Sequence, residues 1–292
     1  MIYDVRQATI YHYDSAVTDA HHVLRLTPID RAGQRVHAAA LDITPSPIER
    51  REGRDFFGNR ITWIKLDQQH DKLVVRVAAR IAVERVVTPA PGKTPPWEEV
   101  RAAAAASADF SAQAPAHYLF ASRLVSLDPE ICDYAMTSFP PGRPVLEGAV
   151  ELMKRIKTDF VYELGATTAS TTPPMSFALR RGVCQDFSHV MISGLRSLGL
   201  PAAYVSGYLR TGQIAGADKL EGADAMHAWV LVWCGEEAGW IGLDPTNDKL
   251  AGTDHVVLAI GRDYPDVAPI DGVIVASGGQ RLEVQVQVLP VG

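Results

Sequence analysis

Three residues far apart in the chain, Cys184, His227 and Asp244, have the side-chain types needed for nucleophilic chemistry at a carbonyl carbon. Cys184 lies in Arg180-Arg181-Gly182-Val183-Cys184-Gln185-Asp186, just ahead of an apolar helical face made by Val190, Met191, Leu195 and Leu198. Gly199 and Pro201 end that face. With Gly182 easing the start, Cys184 falls in the first turn of the expected helix. Unpaired N–H groups and the positive end of the helix dipole there favour a thiolate over a thiol, and the same groups can receive an oxyanion. With a cationic partner, such placement can bring a thiol from about 8.5 to roughly 3.5–7.5. Alone, a cysteine near a helix end reads as a small buried hydrophobe; its company downstream gives it a chemical context.

His227 belongs to the strand-like run Met226-His227-Ala228-Trp229-Val230-Leu231-Val232-Trp233, and Asp244 closes Gly239-Trp240-Ile241-Gly242-Leu243-Asp244. The short Gly235-Glu236-Glu237-Ala238 connection makes the two runs neighbouring antiparallel strands. His227, Trp229, Leu231 and Trp233 share one face of the first; Trp240, Gly242 and Asp244 share one face of the second. With those faces together, Asp244 accepts a ring N–H of His227 and holds the imidazole in one tautomer. Asp186, two residues past Cys184 on the helix, is expected to point away and brace a loop, and His189 to sit on another helix face in a structural role. Tyr208, Asp224, Arg262 and Tyr264 are candidates either for lining a cleft or for packing. Cys132 and Cys234 read as inert thiols.

The elements that position these residues fall into two blocks. Residues 1 to about 90 read as strands. The longest run, Leu73 to Val87, puts Val75, Val77, Ala79, Ile81 and Val83 on one face and Arg76, Arg80 and Glu84 on the other. Gly58-Asn59 is a hairpin signal. An all-β, sandwich-like N-terminal domain is expected over 1–90. Thr88 to Pro96 carries four prolines and a glycine, which cannot continue a sheet ladder, so the boundary is placed there. The second domain, 91–292, includes the C-terminal strands. Helices are expected over Trp97–Ala106, over Glu130–Thr137 with Asp128 as N-cap and Pro129 at the first position, and over 146–160. Helices packed on antiparallel strands give an α+β class.

Composition narrows the function. The 292 residues carry a net charge of −6 and are 21% charged, which argues against a nucleic-acid partner. No window holds the roughly 18 uninterrupted apolar residues of a membrane helix, and the start Met1-Ile2-Tyr3-Asp4-Val5-Arg6 has no secretory pattern. Three widely spaced cysteines make neither a disulfide framework nor a metal spacing, so a cytoplasmic, reduced location is expected. His12 and His21-His22 lack a third ligand or carboxylate at useful spacing, and acidic pairs such as Glu236-Glu237 fall short of the cluster a calcium-activated enzyme would want. No metal or cofactor is expected.

The blocks Gly182-Val183-Cys184-Gln185-Asp186, Leu198-Gly199-Leu200-Pro201-Ala202 with Val205-Ser206-Gly207-Tyr208, His227-Ala228-Trp229, and Gly239-Trp240 with Asp244-Pro245-Thr246-Asn247 occur in an order that resembles the bacterial transglutaminase-like superfamily. Pro45-Ser46-Pro47, Gly58-Asn59 and His70 resemble the β-rich N-terminal domain of one branch, and Gly261-Arg262-Asp263-Tyr264 its segment after the aspartate. The resemblance implies a papain-like core in which Cys184 attacks a carboxamide or peptide carbonyl to form a thioester. His227 would pair with the thiolate and protonate the departing amine, and Asp244 would hold His227. The Cys184 N–H is half of an oxyanion hole on this reading.

The triad supplies an acyl-enzyme whose fate depends on the acceptor. Hydrolysis of a peptide or isopeptide amide is favoured, because water needs no second binding site. Amine transfer, as in a transglutaminase, is the alternative, with Trp229, Trp233 and Trp240 as possible walls of an acceptor tunnel. A non-catalytic binding or scaffold module is the alternative of another class. The expected partner is a peptide or protein substrate, and the chain is a monomer or homodimer.

Overall fold

Period-two alternation builds the N-terminal part. In the computed structural model, which describes residues 1–84, 87–210 and 226–291, six strands open the chain: β1 (Ile2–Val17), β2 (Asp19–Leu24), β3 (Gln34–Thr44), β4 (Glu49–Arg54), β5 (Arg60–Leu66) and β6 (His70–Val83). On β6, Val75, Val77, Ala79, Ile81 and Val83 are buried while Arg76 and Arg80 face solvent, as the alternation requires. β6 ends at Val83, short of the expected Val87, and beyond it the Glu84 N–H still donates to Gly33 O at 2.8 Å; residues 85 and 86 lie outside the described residues. Each buried Val or Ile contributes roughly 1.5–3 kcal/mol.

The helical part follows: α1 (Trp97–Ala105), α2 (Pro129–Met136), α3 (Val145–Asp159), β7 (Val161–Tyr162), α4 (Pro173–Leu179), β8 (Arg181–Gly182) and α5 (Cys184–Ser197). Asp128 caps α2 as expected, its Oδ1 accepting from Glu130 N at 3.0 Å and Ile131 N at 3.1 Å. The chain then runs through β9 (Ala202–Leu209), β10 (Met226–Trp233), β11 (Trp240–Asp244), β12 (Lys249–Leu250), β13 (His255–Gly261), α6 (Tyr264–Val267), β14 (Ile270–Val275) and β15 (Gln280–Val291). Helices packed on a five-stranded antiparallel sheet of order β12-β11-β10-β9-β13 give the expected α+β core. α5 lies against β10 and β9, in a core that includes Phe187, Val190, Met191, Leu195, Tyr204, Ala228 and Val230.

The C-terminal strands pair differently from the division at residue 90. β15 joins β1 in the sheet β15-β1-β6-β3, and β14 joins β2 in the sheet β14-β2-β5-β4. These two sheets face each other across Leu24, Ile64, Leu66, Leu73 and Val75, so the sandwich is built from both ends of the chain. The physical reason is edge satisfaction: without the return, β1 and β2 would each leave a ladder unpaired.

Two buried amides fasten the sandwich to the core, and both act on β13. Gln34 Nε2 donates to Val257 O and Gln34 Oε1 accepts from Val257 N, each at 2.8 Å. Asn59, at the end of the expected β4–β5 hairpin, repeats the pattern with Ile260 O and Ile260 N, each at 2.8 Å.

Candidate active site

Cys184 is the first residue of α5, preceded by Val183 in extended backbone, and its exposure is 9%. Asp186 makes that position. Its Oδ2 turns back to accept from Val183 N at 2.8 Å and from Thr167 Oγ1 at 2.6 Å, capping the helix and holding the 166–172 loop. Gln185 Nε2 adds a bond to Ala169 O at 3.0 Å. Gly182 is required here: its φ is +157°, and a Cβ would come within 2.4 Å of Asp186 Oδ2. Asp186 thus braces a loop, in line with its expected role.

The β10–β11 register pairs Val230 with Leu243 through Trp233 with Trp240. One step further, Trp229 lies opposite Asp244, so His227 and Asp244 are diagonal neighbours on one face, within reach of long side chains. His227 Nε2 meets Asp244 Oδ2 at 2.9 Å, with both side chains fully closed to solvent. Trp229 stacks near the imidazole, ring centroids 6.0 Å apart and planes 25° off parallel. Burial would push the His227 imidazole down, but Asp244 and then Cys184, through charge and hydrogen bonding, raise it from 6.5 to about 10. With Nε2 taken by Asp244, Nδ1 is the nitrogen left for Cys184. Burial likewise works against the Asp244 carboxylate, and His227 and His255 overcome it to hold the group well below the usual carboxylate range.

Asp244 is tied down on every side. Oδ1 accepts from Thr246 N at 3.0 Å and Asn247 N at 3.3 Å, so the Asp-Pro-Thr-Asn segment is a turn and also a carboxylate cradle. Oδ2 accepts from Asn247 Nδ2 at 2.9 Å and makes a contact that sequence reasoning missed, His255 Nε2 at 3.1 Å. The available signal was a histidine opening the apolar run His255–Ile260 eleven residues after Asp244.

Among the described residues, ligand atoms of His227, Asp244 and His255 converge within 4.8 Å of one another, a spacing that could suit a metal ion. The proton positions point elsewhere. Gly252 N donates to His255 Nδ1 at 3.3 Å, so the ring proton sits on Nε2 and faces Asp244. Both Nε2 atoms are donors to one oxygen, and the cluster is a hydrogen-bond network.

The remaining candidates lie elsewhere. His189 accepts from Tyr264 N at 3.2 Å and packs on Tyr204; burial, then the Arg196 charge, lowers it to about 3, consistent with a structural role. Tyr208 donates to Gln7 Oε1 and joins the core to β1. Arg262 pairs with Asp266 at 2.8 Å. Asp224 lies outside the described residues. Burial raises the Cys132 thiol and pushes Cys234 up to about 12.

Comparison with known proteins identifies the family. The bacterial transglutaminase-like N-terminal region matches residues 3–82, and the transglutaminase-like superfamily matches residues 137–245. The chain belongs to the transglutaminase-like superfamily. An uncharacterized protein of Mycobacterium tuberculosis is 38% identical over 302 residues, spanning 99% of this chain and 92% of its own length. One from Mycobacterium leprae is 30% identical over 286 residues, spanning 97% of each. In the crystal structure of a "Putative Cysteine Protease" from Cytophaga hutchinsonii, the same fold covers 100% of this chain and 92% of that one, with a TM-score of 0.76 at 21% identity. At that identity the likeness speaks for the fold alone. As a member of this superfamily, the chain has the β-rich N-terminal part and the papain-like core that its motifs imply.

Proposed function

We propose that this transglutaminase-like protein is a cysteine-dependent amide hydrolase, acting on a peptide or isopeptide bond through Cys184, His227 and Asp244. The carrying observation is the anchored imidazole of His227: Nε2 bonds Asp244 Oδ2 at 2.9 Å with both side chains closed to solvent. Its buried Nδ1 has no hydrogen-bond partner among the described residues, on a ring whose proton affinity Asp244 and then Cys184 raise. An imidazole whose proton affinity is raised this far can hold a thiolate–imidazolium pair.

In this mechanism the Cys184 sulfur attacks the carbonyl carbon, and the new oxyanion is met by the Cys184 N–H in the first turn of α5. The C–N bond breaks as His227 passes its Nδ1 proton to the leaving amine, giving a thioester. His227 then takes a proton from water, whose oxygen attacks the thioester carbon; the acid leaves and the sulfur returns as thiolate. Asp244 stays ionised throughout and fixes the ring.

Amine transfer would use the same thioester with another acceptor. Three tryptophans could have walled a tunnel for it, but they are engaged in packing. Trp229 and Trp233 are buried, and Trp240 Nε1 donates to Gln113 O at 3.0 Å while its ring packs on Tyr118. That favours water.

The test is incubation with a library of glutamine-containing and isopeptide-linked peptides, with and without a labelled primary amine, read by mass spectrometry. Cleavage or deamidation that disappears in Cys184→Ala is the expected result. Amine incorporation dependent on Cys184 would move the assignment to transfer, and no Cys184-dependent product on any peptide would contradict both.

A further inference from the structure

We infer that His255 is a positioning residue for this chemistry, a tautomer-locked N–H donor that holds the Asp244 carboxylate in the orientation His227 needs. The inference rests on the triad reading above and adds to it a residue outside the triad.

Three observations support it. The first is the lock: Gly252 N donates to His255 Nδ1 at 3.3 Å, which leaves Nε2 as the protonated nitrogen, and Nε2 lies 3.1 Å from Asp244 Oδ2. The second is the shared oxygen. Oδ2 also receives His227 Nε2 and Asn247 Nδ2, each at 2.9 Å, so three donors converge on one buried atom and set its direction. The third is that the strand bearing His255 is itself held. Gln34 clamps Val257, two residues on, and Asn59 clamps Ile260, so the sandwich fixes β13 from outside the core.

Around His255 stand Asp244 from β11, His227 and Trp229 from β10, and the Gly252 turn. Trp229 meets the His255 ring edge-on at 5.1 Å. Asp254, next in the chain, is engaged by Arg210 Nε at 2.8 Å. Gly207 of β9 makes room for this arrangement: a Cβ there would lie 2.5 Å from the Trp229 ring and 2.2 Å from Val256 O.

The consequence for Cys184 is indirect. A buried carboxylate that loses one of its donors becomes easier to protonate or free to rotate. Either change weakens the negative partner of His227, and with it the thiolate–imidazolium pair in mildly acid solution. The glutamine side chain can present an amide N–H where His255 Nε2 stands; phenylalanine cannot.

The experiment compares wild type, His255→Gln and His255→Phe by the rate of Cys184 alkylation with iodoacetamide between pH 4.5 and 8, read by peptide mass spectrometry. His255→Phe is expected to slow alkylation at mildly acid pH by about tenfold, equivalent to moving the acid limb up by about one unit, while His255→Gln stays within about threefold of wild type. A His255→Phe profile that matches wild type overturns the inference, as do two variants that fall alike. Long-range proton–nitrogen NMR of the histidines gives a second readout that stands if His255→Phe does not fold. The resonance missing from His255→Gln is expected to show its proton on Nε2, and a proton on Nδ1 overturns the lock. If wild-type Cys184 reacts no faster than Cys132 and Cys234, the triad reading fails and takes this role with it. A Cys184 that is fast in wild type and equally fast in His255→Phe removes the role of His255 alone.

Discussion

His227 Nε2 and Asp244 Oδ2 are 2.9 Å apart in a region closed to solvent, and that contact makes the imidazole a cation holder in spite of its burial. The folded state raises His227 from 6.5 to about 10, against the pull of burial, through Asp244 and Cys184. A group that binds its proton more tightly when folded contributes fully below its unfolded value and loses that contribution as pH rises through the folded one. The pair therefore stabilises the fold up to about pH 6.5 and progressively less towards about 10. On the acid side Asp244 is held below its ordinary 3.8, so its contribution is present above that value and is lost as pH falls further. The melting-temperature gap between wild type and His227→Gln should be widest between those limits and close towards pH 10. A gap independent of pH would contradict the pairing.

Asp244→Asn keeps the shape and removes the charge, leaving two imidazole N–H groups and the 246–247 backbone facing a neutral amide. Breaking a buried charged pair costs about 3–5 kcal/mol. Denaturant unfolding should show a loss of that order, with the alkylation rate of Cys184 falling as well. A stable variant with unchanged Cys184 reactivity would argue against Asp244 as the orienting anion.

Gln34→Leu should uncouple the sandwich from β13. It removes the Ile29 and Val257 acceptors' donor and leaves Val257 N without its partner, at about 1–3 kcal/mol. Amide hydrogen exchange is expected to speed up at Val257 and its neighbours while β10 stays protected. Uniform exchange across the sheet would show that the amide is not a local clamp.

Gly207→Ala tests the close approach beneath the site. The added methyl would meet Val256 O at 2.2 Å, and backbone cannot yield as a flexible side chain can. Overpacking of this kind costs about 1–3 kcal/mol or more. Urea unfolding should reveal it, whereas Gly58→Ala, where a Cβ meets nothing within 4 Å, should show only the milder penalty of its positive φ.

Much of this architecture was readable from residue order. The alternation in Leu73–Val83, the Asp128 cap and the start of α5 at Cys184 are local signals, fixed by side chains within a few residues. His227 and Asp244 were legible as a pair because a short turn joins their strands, so register follows from pattern. His255 was not, because β13 joins the sheet beyond β9, on the far side from β11. Its meeting with Asp244 depends on the end of β11 and the start of β13 lying at one end of the sheet, which nothing in local spacing encodes. The return of β14 and β15 to the sandwich escaped for the same reason: strand runs state their faces but not their partners across the length of the chain.

Alkylation at about pH 6 separates an ion-paired Cys184 nucleophile from an inert thiol. Cys132 is held up by burial and the nearby Asp133 charge, and Cys234 is pushed up to about 12. Iodoacetamide should label Cys184 at least on the order of 10² faster than Cys132, and faster still than Cys234, from the thiolate fraction alone, and His227→Gln should abolish the advantage. Equal rates at the three cysteines, or a fast Cys184 that persists without His227, would contradict the ion pair.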